Sequence, residues 1–438
     1  MSIFDVTTFN NKYLNTIGLN ERTIEIVDDY FTKLMKILMT GKNMLEIETV
    51  LIIGQAIGCF KDRRDWDELV YIYLKKLNNE HIFKHNIDLS YSNGLTFISS
   101  ILHFYSKQTG FYRNFLNGFD EYILHCIEKR IEILLNSDGK IHTRDFDAIS
   151  GMAGIVQYLF LLDNQDTISL LNMIADYLTS ITQCKYYKGK IIPGWYVPAD
   201  DHLTRLSRDN YPEGHINYGL AHGITGVLAS LIKLGQNGIN ECKVNEAINS
   251  ILIEMDKVKY TSDNGIVYYP GMLEVNKYIN EQYHDNKNYR MSWCYGSISM
   301  LYILYRAYQY LGNNQMCDQV LREIELIASA GEKYWYLESP IICHGYAGTA
   351  HIFKKVYDIT KSSKIQAALT VLINNILNVY NSNYLYGFRD VYYRFSKDKE
   401  YKIYEDKNTF LEGATGIISV LLEFLTNEEF TSYLLLLE

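Results

Sequence analysis

The chain has 438 residues, 47% of them hydrophobic and 21% charged, enough apolar material for a sizeable core. Its net charge of −9 excludes the basic face that a nucleic-acid partner needs. No apolar run approaches the 18 or so residues of a membrane span.

The start, "MSIFDVTTFNNKYL", has neither a basic segment nor an apolar stretch of the kind that directs secretion, so no signal peptide is expected. The first periodic element is "RTIEIVDDYFTKLMKILMTG", which puts Val27, Phe31, Leu34 and Leu38 on one helical face. "FDEYILHCIEKRIEILLNSDG" does the same with Ile123, Ile127, Ile131 and Leu134, and Gly139 marks its stop. Only five prolines interrupt the chain, and most apolar positions recur at helical spacing, so the fold class is all-α.

A repeat runs through this pattern. "GQAIGCF" (54–60), "NGLTFISSIL" (93–102), "SGMAGIVQYLFLL" (150–162), "HGITGVLASLIKL" (222–234), "YGSISMLYILY" (295–305), "HGYAGTAHIFKKV" (344–356) and "EGATGIISVLLEFL" (412–425) each join a short glycine motif to an apolar run. Glycines at a helix start let the turn take unusual dihedrals and let helices approach closely. Repeated helix pairs form an array or a closed ring. Seven units predict an α/α toroid of about seven inner and seven outer helices, a single domain over 1–438, with the glycine turns gathered at one end. Three segments, 186–218, 265–290 and 384–410, are rich in aromatic and polar residues and read as extended loops or small β additions, "KEYKIYED" alternating like a strand.

The chemistry sits beside the glycines. "GLAHGITG" carries His222, "SWCYG" carries Cys294, and "CHGYAG" carries Cys343 and His344. Adjacent Cys and His side chains point apart in a helix or a strand, so Cys343 and His344 serve together only on a turn. The seven cysteines (59, 126, 184, 242, 294, 317 and 343) are odd in number and scattered, the usage of a reducing compartment. Their spacing lacks the paired Cys motifs of a structural zinc site. Cys294, Cys343 and His344 instead supply three ligands and leave a fourth position open, the catalytic arrangement.

These residues resemble the lanthionine synthetase C-like (LanC) cyclases, in "YPEGHINYGLAHGITGV", "NYRMSWCYG", "IICHGYAG" and "FLEGATG", over nearly the whole chain. The resemblance implies an α/α barrel holding one Zn²⁺ per chain, with Cys294, Cys343 and His344 matching the zinc ligands. His222, Arg290 and Tyr295 match active-site residues, and Asp147 in "FDAISGMAG" matches an aspartate four residues before a repeat glycine. The chain departs from the family pattern at "GSIS" after Tyr295 and at "SNGLTF" in the second repeat, without losing a ligand. The implied activity is closure of (methyl)lanthionine rings, by adding peptide cysteine thiols to dehydroalanine or dehydrobutyrine during lantibiotic biosynthesis. The implied partners are a dehydrated precursor peptide (leader plus core), a dehydratase and an export transporter. The implied location is the cytoplasm, peripheral to the membrane through those partners.

Other classes make different demands. A glycosidase on a helical toroid would use two carboxylates, for which Asp147, Glu213 and Glu412 are the candidates, but leaves the Cys and His residues unexplained. A zinc-dependent prenyltransferase subunit would show glycine-rich repeats that are absent here. A LanC-like protein could also bind thiols or glutathione as an adaptor without cyclase activity.

Overall fold

Helices buried all the way round alternate with helices buried on one face. This is the computed structural model of the chain, and it describes residues 2–9, 14–15, 17–40, 46–79, 88–137, 139–162, 164–201, 205–284, 289–396, 399–426 and 429–438. Two compact units emerge, Met1–Ile87 with Ile98–Phe119 and Leu337–Leu435, and Asp88–Phe97 with Asp120–Tyr336 and Leu436–Glu438.

The second unit contains three helix pairs in succession: Met152–Leu161 with Thr167–Ser180, Ile224–Gln236 with Glu241–Val258, and Ser297–Tyr310 with Asn314–Ala330. The first member of each pair is buried on nearly all sides over most of its length. Ile224–Gln236 buries residues from Ile224 to Gly235 almost without a break and packs against both Met152–Leu161 and Ser297–Tyr310. The second member is amphipathic: Glu241–Val258 buries Val244, Ala247, Ile248, Ile251, Leu252, Met255 and Val258, one stripe at helical spacing. Three short antiparallel ribbons complete this unit, Lys185–Tyr187 with Lys190–Ile192, His215–Asn217 with Met272–Glu274, and Tyr260–Thr261 with Val267–Tyr268.

The first unit follows the same logic. Tyr346–Thr360 and Ser363–Asn378 form a helical hairpin through Lys361, which sits in the left-handed region at φ 51°. Ala414–Thr426 is buried throughout and packs on Ile47–Ala56 and Asn20–Met39. Phe4, Phe31, Phe60 and Trp66 pack ring on ring, with Phe60 and Trp66 stacked at 4.8 Å. A hairpin of Asp390–Ser396 and Lys399–Glu405 extends from this unit, with Asp390 opposite Glu405.

The expected faces are present. Val27, Phe31 and Leu34 are buried on Asn20–Met39 with Leu38 half-buried, and Ile123, Ile127 and Ile131 are buried on Arg113–Leu135 with Leu134 half-buried. Gly139 follows at φ 81°. The aromatic segments hold the ribbons and the hairpin, but residues 202–204, 285–288 and 397–398 within them lie outside the described residues.

Two expectations about the glycines change. Six of the motifs do open helices, but Gly54 lies inside the helix Ile47–Ala56, where its apolar run precedes the turn. A Cβ there would meet the Phe104 ring at 3.3 Å, so the residue is small for packing. Nor do the opening glycines need unusual dihedrals. Gly345 has φ −131°, ordinary extended backbone. Its constraint is space, since a Cβ would lie 2.1 Å from the Ser339 carbonyl oxygen.

Candidate active site

In the second unit the turns that precede the buried helices are stitched together by their backbones. Ala148 N–H donates to the Ala221 carbonyl at 3.1 Å, and Leu220 and Ala221 both donate to the Cys294 carbonyl, at 2.9 and 3.2 Å. Three turns distant in sequence are thereby fixed side by side, which brings Asp147, His222, Cys294 and Tyr295 into one neighbourhood.

Asp147 is the centre of this group. It ends the short helix Thr143–Phe146, and its side chain is fully buried. Oδ1 accepts from the backbone N–H groups of Ser150 at 2.6 Å and Gly151 at 2.8 Å, just ahead of the helix Met152–Leu161. Oδ2 faces Nδ1 of His222 at 2.5 Å. A carboxylate only accepts, so in the neutral imidazole Nδ1 carries the hydrogen and Nε2 the lone pair. The His222 side chain is 27% exposed, against none for its partner, so the ring has one wet side.

Tyr295 packs over Gly219, where a Cβ would meet its ring at 2.5 Å, and its centroid is 6.4 Å from that of His222. Asn217, buried on His215–Asn217, accepts from Gly219 N–H at 3.0 Å and donates to the Tyr295 hydroxyl at 3.3 Å. Cys294 is buried, with Sγ 3.7 Å from Ser292 Oγ. Arg290 is exposed four residues before it.

Cys343 and His344 belong to the first unit, on the turn that opens Tyr346–Thr360. Cys343 N–H donates to the Leu411 carbonyl at 2.9 Å, and Tyr346 N–H to the Ser339 carbonyl at 2.8 Å. Nε2 of His344 lies 3.4 Å from Oδ1 of Asp390, too far and poorly aimed for a formed hydrogen bond, and this buried nitrogen has no other hydrogen-bond partner. Asp390 is 2% exposed and takes the Ser339 hydroxyl at 2.8 Å. Burial pushes its carboxyl up, but His344, Ser339 and Lys407 together outweigh burial and hold it below the ordinary carboxylate value.

Among the described residues, no group of three or more His, Cys, Asp and Glu side chains comes together closely enough to hold an ion. None of the seven cysteines forms a disulfide. The carboxylates of the glycosidase alternative are otherwise engaged: Glu213 pairs with Lys188 at 2.8 Å and Glu412 with Lys407 at 3.0 Å. Asp390 and Asn217 were not among the sequence candidates. Both lie in the aromatic segments, where a lone Asp or Asn gives no signal of its own.

The family model described as "Lanthionine synthetase C-like protein" matches residues 50–435. The chain belongs to this family. Within it, the chain is 27% identical to the nisin biosynthesis protein NisC of Lactococcus lactis subsp. lactis over 346 residues, 78% of this chain and 75% of that protein. It is also 27% identical over 156 residues to the glutathione S-transferase LANCL1 of Danio rerio, 35% of this chain and 33% of that protein. The solved structure of nisin cyclase superposes with a TM-score of 0.76 at 22% identity, covering 96% of this chain and 98% of that one. The fold class is accordingly the α/α toroid of the LanC family.

Proposed function

We propose that this LanC-family cyclase closes (methyl)lanthionine rings with one Zn²⁺ held by Cys294, Cys343 and His344. The cyclase reading rests on family membership and on the likeness to the nisin biosynthesis protein. The single observation that carries the mechanism is the His222–Asp147 pair, a partly exposed imidazole held at 2.5 Å by a buried carboxylate.

The donor set suits zinc. Two thiolates and an imidazole are its preferred ligands, and three of them leave a position open. The buried Nε2 of His344, next to a carboxylate but without a hydrogen bond, is what a ligand imidazole looks like before its other nitrogen is engaged. Bound zinc would hold the substrate cysteine as thiolate. A free thiol with pKa about 8.5 is already a few per cent ionised near neutrality, so full ionisation gains about thirtyfold, or about 2 kcal/mol. The larger share of the acceleration belongs to the protein's own groups, through positioning and proton transfer.

His222 supplies the proton transfer. Its Nε2 lone pair accepts the proton of the substrate thiol. Sulfur then bonds to the β-carbon, the C=C π pair moves onto the α-carbon and its carbonyl, and His222 returns the proton to the α-carbon. No atom leaves, as an addition requires. Asp147 holds the tautomer and stabilises the transient imidazolium. Tyr295 and Arg290 hold the developing enolate oxygen.

The substrate in this reading is a dehydrated precursor peptide, with a dehydratase and an export transporter as partners at the inner face of the membrane. No helix among the described residues is long and apolar enough to cross a membrane. The 156 residues shared with a glutathione S-transferase support a second reading, thiol or glutathione binding without ring closure. One experiment separates the two. The purified chain is incubated with a dehydrated Cys-containing peptide, and the remaining thiols are alkylated and weighed. The cyclase reading requires loss of alkylation well beyond an enzyme-free control, and alkylation equal to that control refutes it.

A further inference from the structure

Asp390 is a carboxylate buried to 2% at the first residue of a hairpin whose sequence is otherwise aromatic and polar. Burying a charge is costly unless it is compensated, and this one has three partners on two segments. The Ser339 hydroxyl donates to Oδ1 at 2.8 Å, Lys407 Nζ stands 3.7 Å from Oδ2, and His344 Nε2 stands 3.4 Å from Oδ1. Lys407 is closer to Glu405 and Glu412, at 2.9 and 3.0 Å, so it does not explain why an acid is kept at position 390. Ser339 would be served as well by an amide oxygen. His344 faces that same Oδ1, so what a carboxylate adds over an amide there is its negative charge, which strengthens the bond to the ring and raises the basicity of the imidazole.

We infer that Asp390 is a positioning residue for His344: its carboxylate takes the Nε2 hydrogen, so that Nδ1 is the nitrogen presented to the metal. The inference rests on the zinc reading above. A neutral imidazole has one hydrogen and one lone pair, and the nitrogen that faces an acceptor-only carboxylate must carry the hydrogen. The gap of 3.4 Å closes to a hydrogen bond by a small tilt of the ring. Carboxylates placed in this way fix the orientation of a ligand histidine and raise its basicity, and losing one costs about 10–100-fold in metal affinity. The hairpin is thereby rooted at the ligand. Ser339 Oγ also accepts from Val391 N–H at 3.3 Å, which ties the first two hairpin residues to the segment leading into Cys343.

The competing role for Asp390 is purely structural, an anchor for the hairpin, and zinc affinity separates the two. The full-length zinc-free protein and its variants are titrated with zinc against a chromophoric chelator, with far-UV circular dichroism of each zinc-free form. Asp390→Asn preserves shape and an Oδ1 acceptor for both Ser339 and His344 but removes the charge, and is expected to bind zinc about 10-fold more weakly with an unchanged helical spectrum. Ser339→Ala removes both hairpin ties but leaves the carboxylate, and is expected to stay within about threefold of wild type. Asp390→Glu keeps the charge and recovers part of the loss; it also reads the effect should the Asn variant not fold. Wild-type affinity in Asp390→Asn, an equal loss in Ser339→Ala, or no advantage of Glu over Asn would each overturn the inference. A wild-type chain that binds no zinc would instead overturn the zinc reading itself.

Discussion

Asp147→Asn changes a single atom of the His222–Asp147 pair, and the geometry says which one. Oδ1 receives the Ser150 and Gly151 N–H groups at 2.6 and 2.8 Å, and an asparagine oxygen keeps both bonds in weaker, neutral form. The amide nitrogen then takes the place of Oδ2, 2.5 Å from His222 Nδ1, and a donor stands where an acceptor stood. Nδ1 must now accept, so the ring hydrogen moves to Nε2 and the lone pair that receives the thiol proton is lost. The fold loses one charge-assisted hydrogen bond and regains a neutral one, a difference of about 1–2 kcal/mol. That is small against the total of about 5–15 kcal/mol expected of a domain. The chemical step loses its base, worth about 10²–10⁴ in rate, or about 3–5 kcal/mol of barrier. Asp147→Ala also forfeits the two backbone bonds, so it should cost a further 0.5–2 kcal/mol or so of stability. The assay is single-turnover ring closure of a dehydrated peptide, followed by alkylation of residual thiols against an enzyme-free control, with urea melts of both variants. Wild-type turnover by Asp147→Asn would refute the tautomer argument, and melts in which Asn is as damaged as Ala would refute the division of labour between the two oxygens.

His222→Asn should keep about one zinc per chain while slowing ring closure by about 10²–10⁴; loss of zinc in elemental analysis would make His222 a ligand instead. Cys343→Ala should lose most of the zinc and all cyclisation with little change in helical content, because its hydrogen bond to the Leu411 carbonyl is made by the backbone N–H and survives the substitution; a full zinc equivalent in that variant contradicts the ligand assignment. A pH dependence follows from a buried pair in the first unit, where His351 Nδ1 lies 3.4 Å from Glu423 Oε2 and burial keeps both groups neutral. Burial pushes Glu423 up to about 8, so the folded state holds a proton that the unfolded chain sheds above 4.5, and stability is lost as pH rises through that window. Burial pushes His351 down to about 3, so the folded state refuses a proton that the unfolded chain takes below 6.5, and stability is lost as pH falls. Between about 4.5 and 6.5 the two trends cancel, and from 6.5 to 8 Glu423 alone costs about 2 kcal/mol, a fall that urea melts should find abolished in Glu423→Gln.

The parts of this protein that the sequence made legible are those tied to its repeat. His222 stands next to a repeat glycine, and equivalent positions in a repeat of helix pairs occupy equivalent places in the fold, whereas Asp147, 75 residues away and four before Gly151, is legible only through the family resemblance. The same logic selected Cys294, Cys343 and His344. It failed at Gly54, because a glycine packed against the Phe104 ring inside a helix is spelled the same way as a glycine required by backbone at a helix start.

The residues that support these side chains lie off the repeat. Asp390 and Ser339 are 51 residues apart, and Asp390 opens a hairpin that carries none of the repeat glycines. A lone aspartate beside aromatic residues reads as a solvated strand end, and nothing in its spacing announces that it is buried. Asn217 is hidden in the same way, on a three-residue strand that pairs with Met272–Glu274. This division has a physical cause. Residues that carry chemistry must converge from several turns, so they inherit the period of the scaffold. The groups that orient them need only one neighbour each, and any insertion that returns to the right turn can supply it. The consequence is that substitutions in the aromatic segments of this chain can shift the side chains of His344 or Tyr295 without touching a single repeat position.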